Sequence, residues 1–98
     1  VEANLSEADL SDSYLSSANL MEANLEGADL GGANLAGANL TDANLTGADL
    51  TNAILVNADL TGTILEGAIF CNTVMESGTI SNESCSTSGS SSTEESEE

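Results

Sequence analysis

The sequence predicts an all-β solenoid built from a five-residue unit, and three observations support this fold class. Leucine recurs at every fifth position from Leu5 to Leu65, and Phe70, Met75 and Ile80 continue the same phase. A small residue, usually alanine, stands two places before each of these positions. The two remaining positions of each unit are rich in Gly, Asn, Asp, Ser and Thr, which are residues of tight turns.

The period of five excludes an α-helix. Five residues advance an α-helix by about 500°, so successive leucines would step about 140° around the axis and form no apolar stripe. In an extended segment, residues two apart point to the same face, so Ala23 and Leu25 would face inward while Asn24 faces outward. Each unit therefore has three extended residues and a two-residue corner, and stacked units bury a column of leucines beside a column of alanines.

The pattern from Ala3 to Ser77 resembles that of the pentapeptide repeat family, in which units of the form A-(D/N)-L-x-x follow one another. The resemblance implies a right-handed quadrilateral parallel β-helix with four units in each turn. The segment "GTISN" at residues 78–82 then corresponds to a degenerate sixteenth unit, which would complete about four turns. We accordingly predict a β-helix over residues 1–82. Its expected core includes Leu25, Leu30, Leu35, Leu40, Leu45, Leu50 and Phe70.

The C-terminal part of the sequence differs from the repeats. Cys71 and Cys85 are an even pair, compatible with a disulfide that would pin residues 71–85 as a capping lid over the open end of the column. The stretch "FCNTVMESGTISNESC" also resembles the terminal segment of some cyanobacterial members of the family, which usually carry Pro-Asp where this chain has Glu-Ser. Residues 86–98, "STSGSSSTEESEE", lack large apolar residues, and we predict a disordered acidic tail there.

If one turn contains four units, outward residues lie above one another in columns. Asp9, Asp29 and Asp49 would then be roughly 4.8 Å apart, and like charges at that spacing raise the pKa of some members. One interpretation is a cation site, since Ca²⁺ is bound by several carboxylate oxygens. The other is that these residues are simply solvated, which we favour because one ligand per turn on a flat face does not surround an ion.

A second set of outward positions is apolar and lies towards the C-terminal end. It consists of Ile54, Ile64, Ile69 and Val74. An exposed patch of this kind is typical of a partner site. The alternative, which we favour from the sequence, is that the lid of residues 71–85 folds back and covers these side chains.

Composition restricts the possible functions. The 98 residues include 17 Asp and Glu but no Lys, Arg or His, giving a formal net charge of −17. Nucleic acids and anionic membranes are bound through Lys and Arg, so neither is a predicted partner, whereas cationic partners and metal ions are favoured. No apolar run reaches the roughly 18 residues of a membrane span. With no His or Lys for acid–base chemistry, we predict neither catalysis nor a cofactor.

Three non-enzymatic functions fit these features. The leading one is a structural or protein-interaction module, which the cysteine pair and the family resemblance place in the periplasm, the thylakoid lumen or the extracellular space. The second is self-association, end to end or head to head, because the repeat is already in phase at Ala3, unless Val1 is a truncation point. The third is the DNA mimicry of some family members that inhibit gyrase. B-DNA carries one charge per roughly 1.7 Å of axis, and the acidic residues of 1–75 are too sparse to match it.

Overall fold

The computed structural model describes residues 3–83 and 85, and most of these residues form coils that stack on one another. Each outward residue is bridged in parallel to the residue 20 positions later, from Asn4 with Asn24 to Ile54 with Val74. One coil therefore contains 20 residues, or four units. We call residues 3–75 the column.

Each corner from Ser6-Glu7 to Glu66-Gly67 is a tight turn with the same hydrogen bond. The N–H of Ala28, for example, donates to the C=O of Leu25 at 3.0 Å, which closes a four-residue turn. The second corner residue has a positive φ, 69° at Gly27 and 60° at Asp42, as in a type II turn. Gly, Asn and Asp are frequent at this position because they adopt the left-handed region at the least cost.

Backbone hydrogen bonds join successive coils on their sides and at their corners. The N–H of Leu25 donates to the C=O of Asn44 at 2.8 Å, and the N–H of Asn44 donates to the C=O of Ala23 at 2.9 Å. At the corner, the N–H of Gly27 donates to the C=O of Thr46 at 2.8 Å. In the middle coils, the N–H groups of the outward residues, the leucines and the second corner residues are thus paired with neighbouring coils.

Leucine and alanine side chains fill the interior of the column. The leucines from Leu25 to Leu55 are 0 % exposed, and Phe70 is 8 % exposed. Since fully burying one leucine contributes about 1.5–3 kcal/mol, this stack is a major source of stability. The leucines of the first coil, Leu5 to Leu20, are only partly buried. Self-association through that end stays a prediction.

The column ends in a β-hairpin. Strand β1, Thr73–Val74, lies on the last coil, and strand β2, Ile80–Ser81, pairs with it in the antiparallel direction. Between them, Gly78 has a φ of 89°, and its N–H donates to the C=O of Met75 at 2.8 Å. This is the pattern of a three-residue hairpin loop with glycine in the left-handed position.

The hairpin corrects the expectation of a sixteenth unit. Residues 78–82 do not add a parallel coil, because the chain reverses direction at Gly78 and runs back along β1. Ile80, which continues the phase of the leucines, is 60 % exposed and therefore is not a core residue. The predicted tail, residues 86–98, lies outside the described residues.

Within residues 3–83 and 85, no helix has the length and apolar character needed to cross a membrane.

Two glycines at the same corner position test how closely successive coils pack. Gly47 has a φ of 68° and no atom within 4 Å of an added Cβ, whereas a Cβ on Gly32 (φ 71°) would overlap Oδ1 of Asp12. Asp12 is exposed, and its Oδ1 is the end of a side chain that can turn away from the new Cβ. Gly47→Ala and Gly32→Ala should therefore lower the free energy of unfolding by the same amount, about 1–2 kcal/mol, through the left-handed backbone. Urea unfolding followed by circular dichroism measures both.

Asp12→Ala is the control for this comparison, because it removes the carboxylate that the new Cβ would meet. The cost of Gly32→Ala should be the same in that background as in the native chain. A larger cost of Gly32→Ala that disappears in the Asp12→Ala background would contradict this expectation and show that the Asp12 side chain is held in place.

Candidate functional site

The outward Asn and Asp side chains cap the corners of the coils. In each of them Oδ1 accepts the N–H of the residue two positions later, at 3.0–3.1 Å. Where that residue is Ser or Thr, its hydroxyl can donate to the same oxygen, as Thr46 does to Asn44 at 2.6 Å. The capping residues are Asn4, Asp9, Asn19, Asn24, Asp29, Asn34, Asn39, Asn44, Asp49 and Asp59.

This capping role was not part of the sequence analysis, although the sequence contains its signal. Asn or Asp followed two positions later by Ser or Thr is the spacing of an Asx turn, as in Asn39-Leu40-Thr41. The outward position therefore serves the turn that follows it as well as facing solvent.

The three aspartates proposed as a cation site do form a column. Parallel bridges join Asp9 to Asp29 and Asp29 to Asp49. Each carboxylate, however, caps its own corner: Oδ1 of Asp29 accepts the N–H of Gly31 at 3.0 Å, and Oδ1 of Asp49 accepts that of Thr51. In the described part of the chain, no group of three or more His, Cys, Asp or Glu is arranged to hold a metal ion. The geometry gives these carboxylates a role in the turns.

The corner hydrogen bonds lower the pKa of two of the carboxyl groups. The pKa of Asp9 lies below its ordinary value of 3.8, mainly because the Ser11 hydroxyl donates to it and further because the Ser11 N–H does. The pKa of Asp59 is lowered in the same way, mainly by the hydroxyl and then by the N–H of Thr61. At Asp9 the direction is opposite to the rise that we expected in this column, because hydrogen bonds favour the ionised form.

The apolar outward residues lie on three successive sides of the column near its C-terminal end. Ile54 is bridged to Val74 on one side, Ile64 to Asn44 on another, and Ile69 to Asp49 on the side between them. The exposed fractions of Ile54, Ile64 and Ile69 are 36 %, 48 % and 37 %. The favoured expectation that the lid covers them is therefore wrong, and we call Ile54, Ile64, Ile69 and Val74 the apolar belt.

A disulfide joins Cys71 to Cys85, with their Cα atoms 4.6 Å apart. Between the two cysteines, Oδ1 of Asn82 accepts the N–H of Asn72 at 2.6 Å. These contacts hold the hairpin at one side of the last coil, since β2 pairs with β1.

An open groove of about 610 Å³ remains over the end of the column. Its walls and floor are formed by Leu65, Phe70, Met75 and residues 79–83. The lid of residues 71–85 thus covers the end only in part, because the hairpin lies above a single side of the coil.

A scan against protein-family models matches the chain to pentapeptide repeats over residues 1–37, 18–55 and 53–82. The chain belongs to the pentapeptide repeat family. The resemblance stated from the sequence is therefore confirmed. A comparison of this pentapeptide repeat protein with curated proteins found no match.

Solved structures of other pentapeptide repeat proteins are similar to this one. One from Nostoc PCC 7120 has 38 % identity and a TM-score of 0.71, and the match covers 83 % of this chain and 69 % of the Nostoc protein. One from the thylakoid lumen of Arabidopsis thaliana has 32 % identity and a TM-score of 0.75, and the match covers 85 % of this chain and 57 % of the Arabidopsis protein. HetL of Nostoc, a protein involved in the regulation of heterocyst differentiation, has 41 % identity and a TM-score of 0.55. The match covers 80 % of this chain and 40 % of HetL. The chain thus spans less than two thirds of the second and third of these proteins.

Replacing Asp59 by asparagine should change the pH dependence of stability. Asn keeps the oxygen that caps the corner but does not ionise. The folded-state pKa of Asp59 is lowered from 3.8, so its contribution is present above that value and is lost as the pH falls through the folded-state pKa. The free energy of unfolding of the native chain, relative to Asp59→Asn, should therefore decrease as the solution is acidified below 3.8. Urea unfolding at a series of pH values measures this difference.

Asn44→Asp provides the matched test in the opposite direction. The hydroxyl and the N–H of Thr46 both donate to Oδ1 of Asn44, as those of Thr61 do to Asp59, and Asn44 is bridged to Asn24 and Ile64 rather than to another carboxylate. An aspartate at position 44 should therefore acquire the same pH dependence. A stability difference that does not change with pH in either variant would contradict the proposed effect of the corner hydrogen bonds.

Removing the disulfide should loosen the hairpin and leave the middle coils folded. The bond joins residues 14 apart in sequence, and closing a loop of about 15 residues stabilises a protein by about 3 kcal/mol. In the double variant Cys71→Ser/Cys85→Ser, hydrogen exchange of the amides of β1 and β2 should accelerate, whereas exchange between Leu25 and Leu50 should stay unchanged. Mass spectrometry or NMR measures both regions in one sample. An equal acceleration throughout the column would show that the bond stabilises the whole fold instead.

Proposed function

We propose that this pentapeptide repeat protein is a non-enzymatic structural or protein-interaction module. We further infer that it is a right-handed quadrilateral β-helix whose outward surface binds a protein partner. Family membership and the similar solved structures support the handedness. The Cys71–Cys85 bond and the thylakoid-lumen origin of one similar protein support an oxidising location, such as the thylakoid lumen, the periplasm or the extracellular space.

The apolar belt is the observation that carries this proposal. In the coil below, the matching positions hold Asn34, Asn44 and Asp49, each of which caps the next corner through Oδ1. Isoleucine has no oxygen, so the corners that follow the belt residues lack this bond. The isoleucines therefore remove a hydrogen bond that stabilises the turn and expose apolar surface at the same place. Exposed apolar patches are typical of interaction sites.

The charge of the chain indicates the chemistry of the partner. The protein contains no Lys or Arg, and the exposed Glu66 and Glu76 lie in the corners next to the belt. A partner surface with apolar side chains at its centre and basic residues at its rim would complement this arrangement.

A triple variant tests whether the belt is an interaction surface. Ile54→Asn, Ile64→Asn and Ile69→Asp copy the residues of the coil below, so the corners gain caps and the fold should be at least as stable. Affinity capture from cells that express the protein, followed by quantitative mass spectrometry, should recover a partner with the native chain. The triple variant should reduce that recovery by at least about tenfold, since central apolar residues dominate binding energies.

Asn19→Asp/Asn39→Asp is the matched control, because it changes the one side of the column that has no belt residue. This control should retain the partner. Equal recovery with the native chain and the triple variant would overturn the proposed role of the belt.

A further inference from the structure

The backbone of the last coil has an edge that lacks hydrogen-bond partners within the described part of the chain. In the coil below, the N–H of Leu40 donates to the C=O of Asp59 at 2.9 Å, and the N–H of Leu45 donates to the C=O of Ile64 at 2.8 Å. One coil later, among residues 3–83 and 85, nothing accepts from the N–H of Leu60 or Leu65.

One C=O group of this edge also lacks a partner among the described residues. The C=O of Ala43 accepts the N–H of Ile64 at 2.9 Å, but no described residue donates to the C=O of Thr63 one coil later. The cause is the reversal at Gly78, which places β2 on β1 instead of over the next two sides of the column, which carry Leu60 and Leu65. We call residues 58–67 the open edge.

An apolar groove lies beside the open edge. Leu65 forms part of its floor together with Phe70 and Met75, and the groove measures about 610 Å³. Leu60 and Leu65 are only partly buried, whereas Leu40 and Leu45 are 0 % exposed. Among the described residues, unpaired backbone groups and partly exposed leucines thus lie in the same place.

We propose that the open edge binds a segment of a partner protein, which adds to the column as a further layer and turns with it at the corner formed by Thr61 and Gly62. This inference rests on the proposed role as an interaction module and names the site and the partner chemistry. The C=O groups of the incoming strand accept from the N–H of Leu60 and Leu65, and one of its N–H groups donates to Thr63. Strand addition to an exposed edge obtains affinity from such main-chain bonds and specificity from alternate side chains.

The pattern of the bound segment follows from strand geometry. Side chains two positions apart point to the same face, so apolar residues in alternate positions fill the groove over Leu65 and Phe70. The intervening side chains face outward, beside the exposed carboxylates of Asp59 and Glu66, while Glu83 lines the groove. Lysine or arginine at those outward positions complements a chain that contains no basic residue.

Two other occupants fit this site less well. Residues 86–98 of the same chain contain no large apolar side chain to fill the groove and carry further Glu residues. A second copy of the protein also has a net charge of −17, so its approach is opposed by like charge.

A synthetic peptide provides a direct test with the full chain. The probe is acetyl-Ala-Lys-Leu-Thr-Gly-Ala-Lys-Leu-amide, which copies residues 43–50 with lysine in place of Asn44 and Asp49. Titrated into ¹⁵N-labelled protein, it should shift the amide signals of Leu60, Gly62 and Leu65 and bind with a Kd below about 1 mM. Added salt should weaken the binding.

Two altered peptides and one protein variant are the controls. N-methylation of the second lysine removes the N–H that donates to Thr63, and it should weaken binding by at least about tenfold. Glutamate in place of both lysines of the peptide should also weaken binding, because the new carboxylates are repelled by the acidic protein. Glu66→Gln/Glu83→Gln leaves the column intact and should weaken the lysine peptide severalfold.

Four results would overturn the open edge as a binding site. One is no binding at about 1 mM peptide. The second is equal binding of the N-methylated peptide. The third is a set of signal shifts confined to the belt residues outside the open edge, which are Ile54, Ile69 and Val74. The fourth is slow hydrogen exchange of Leu60 and Leu65 in the free protein, as at Leu40, because the chain itself would then occupy the edge.

The proposed function is tested separately, by partner capture with the triple variant Ile54→Asn/Ile64→Asn/Ile69→Asp. That variant changes side chains of the apolar belt and leaves the backbone groups of the open edge in place.

Discussion

The corner turn is the constraint on which the rest of the structure depends. A leucine every five residues reaches one interior only if the chain turns by about a quarter of a circle after every third extended residue. The turn requires a positive φ at its second corner residue, which Gly27 and its equivalents provide. Once all corners have the same geometry, the coils have equal length, and the backbone groups of one coil meet those of the next. Leucine burial and the hydrogen bonds between coils therefore both follow from the turn.

The same constraint separates the interior of the protein from its surface. Inward positions accept only small or leucine-sized side chains, because each interior layer has the same cross-section as its neighbours. Outward positions need only an oxygen two residues before the corner, and Asn or Asp supplies it. A residue such as Ile64 at that position loses the corner bond but does not disturb the leucine stack. The surface of the column can therefore vary for binding while the fold stays unchanged.

The features on which the proposed interactions rest are concentrated at the C-terminal end of the column. There the apolar belt surrounds the column on three sides, and the hairpin stops the addition of further coils. Because the hairpin covers only the side that carries β1, it leaves a groove and a strand edge beside it. The Cys71–Cys85 bond fixes the hairpin to the last coil. One local event, the reversal at Gly78, thus determines both where the repeat ends and which backbone groups remain available to a partner.

The sequence by itself determined the repeated part of this protein. The unit length, the inward and outward positions and the core from Leu25 to Leu50 depend on contacts that recur identically in every unit, so periodicity is sufficient to assign them. Only the tertiary structure decided the end of the column. Ile80 continues the leucine phase, and its exposure follows from antiparallel pairing with Val74, a contact that no periodicity contains. The exposure of the belt was decided in the same way, because it depends on which side of the coil the hairpin occupies.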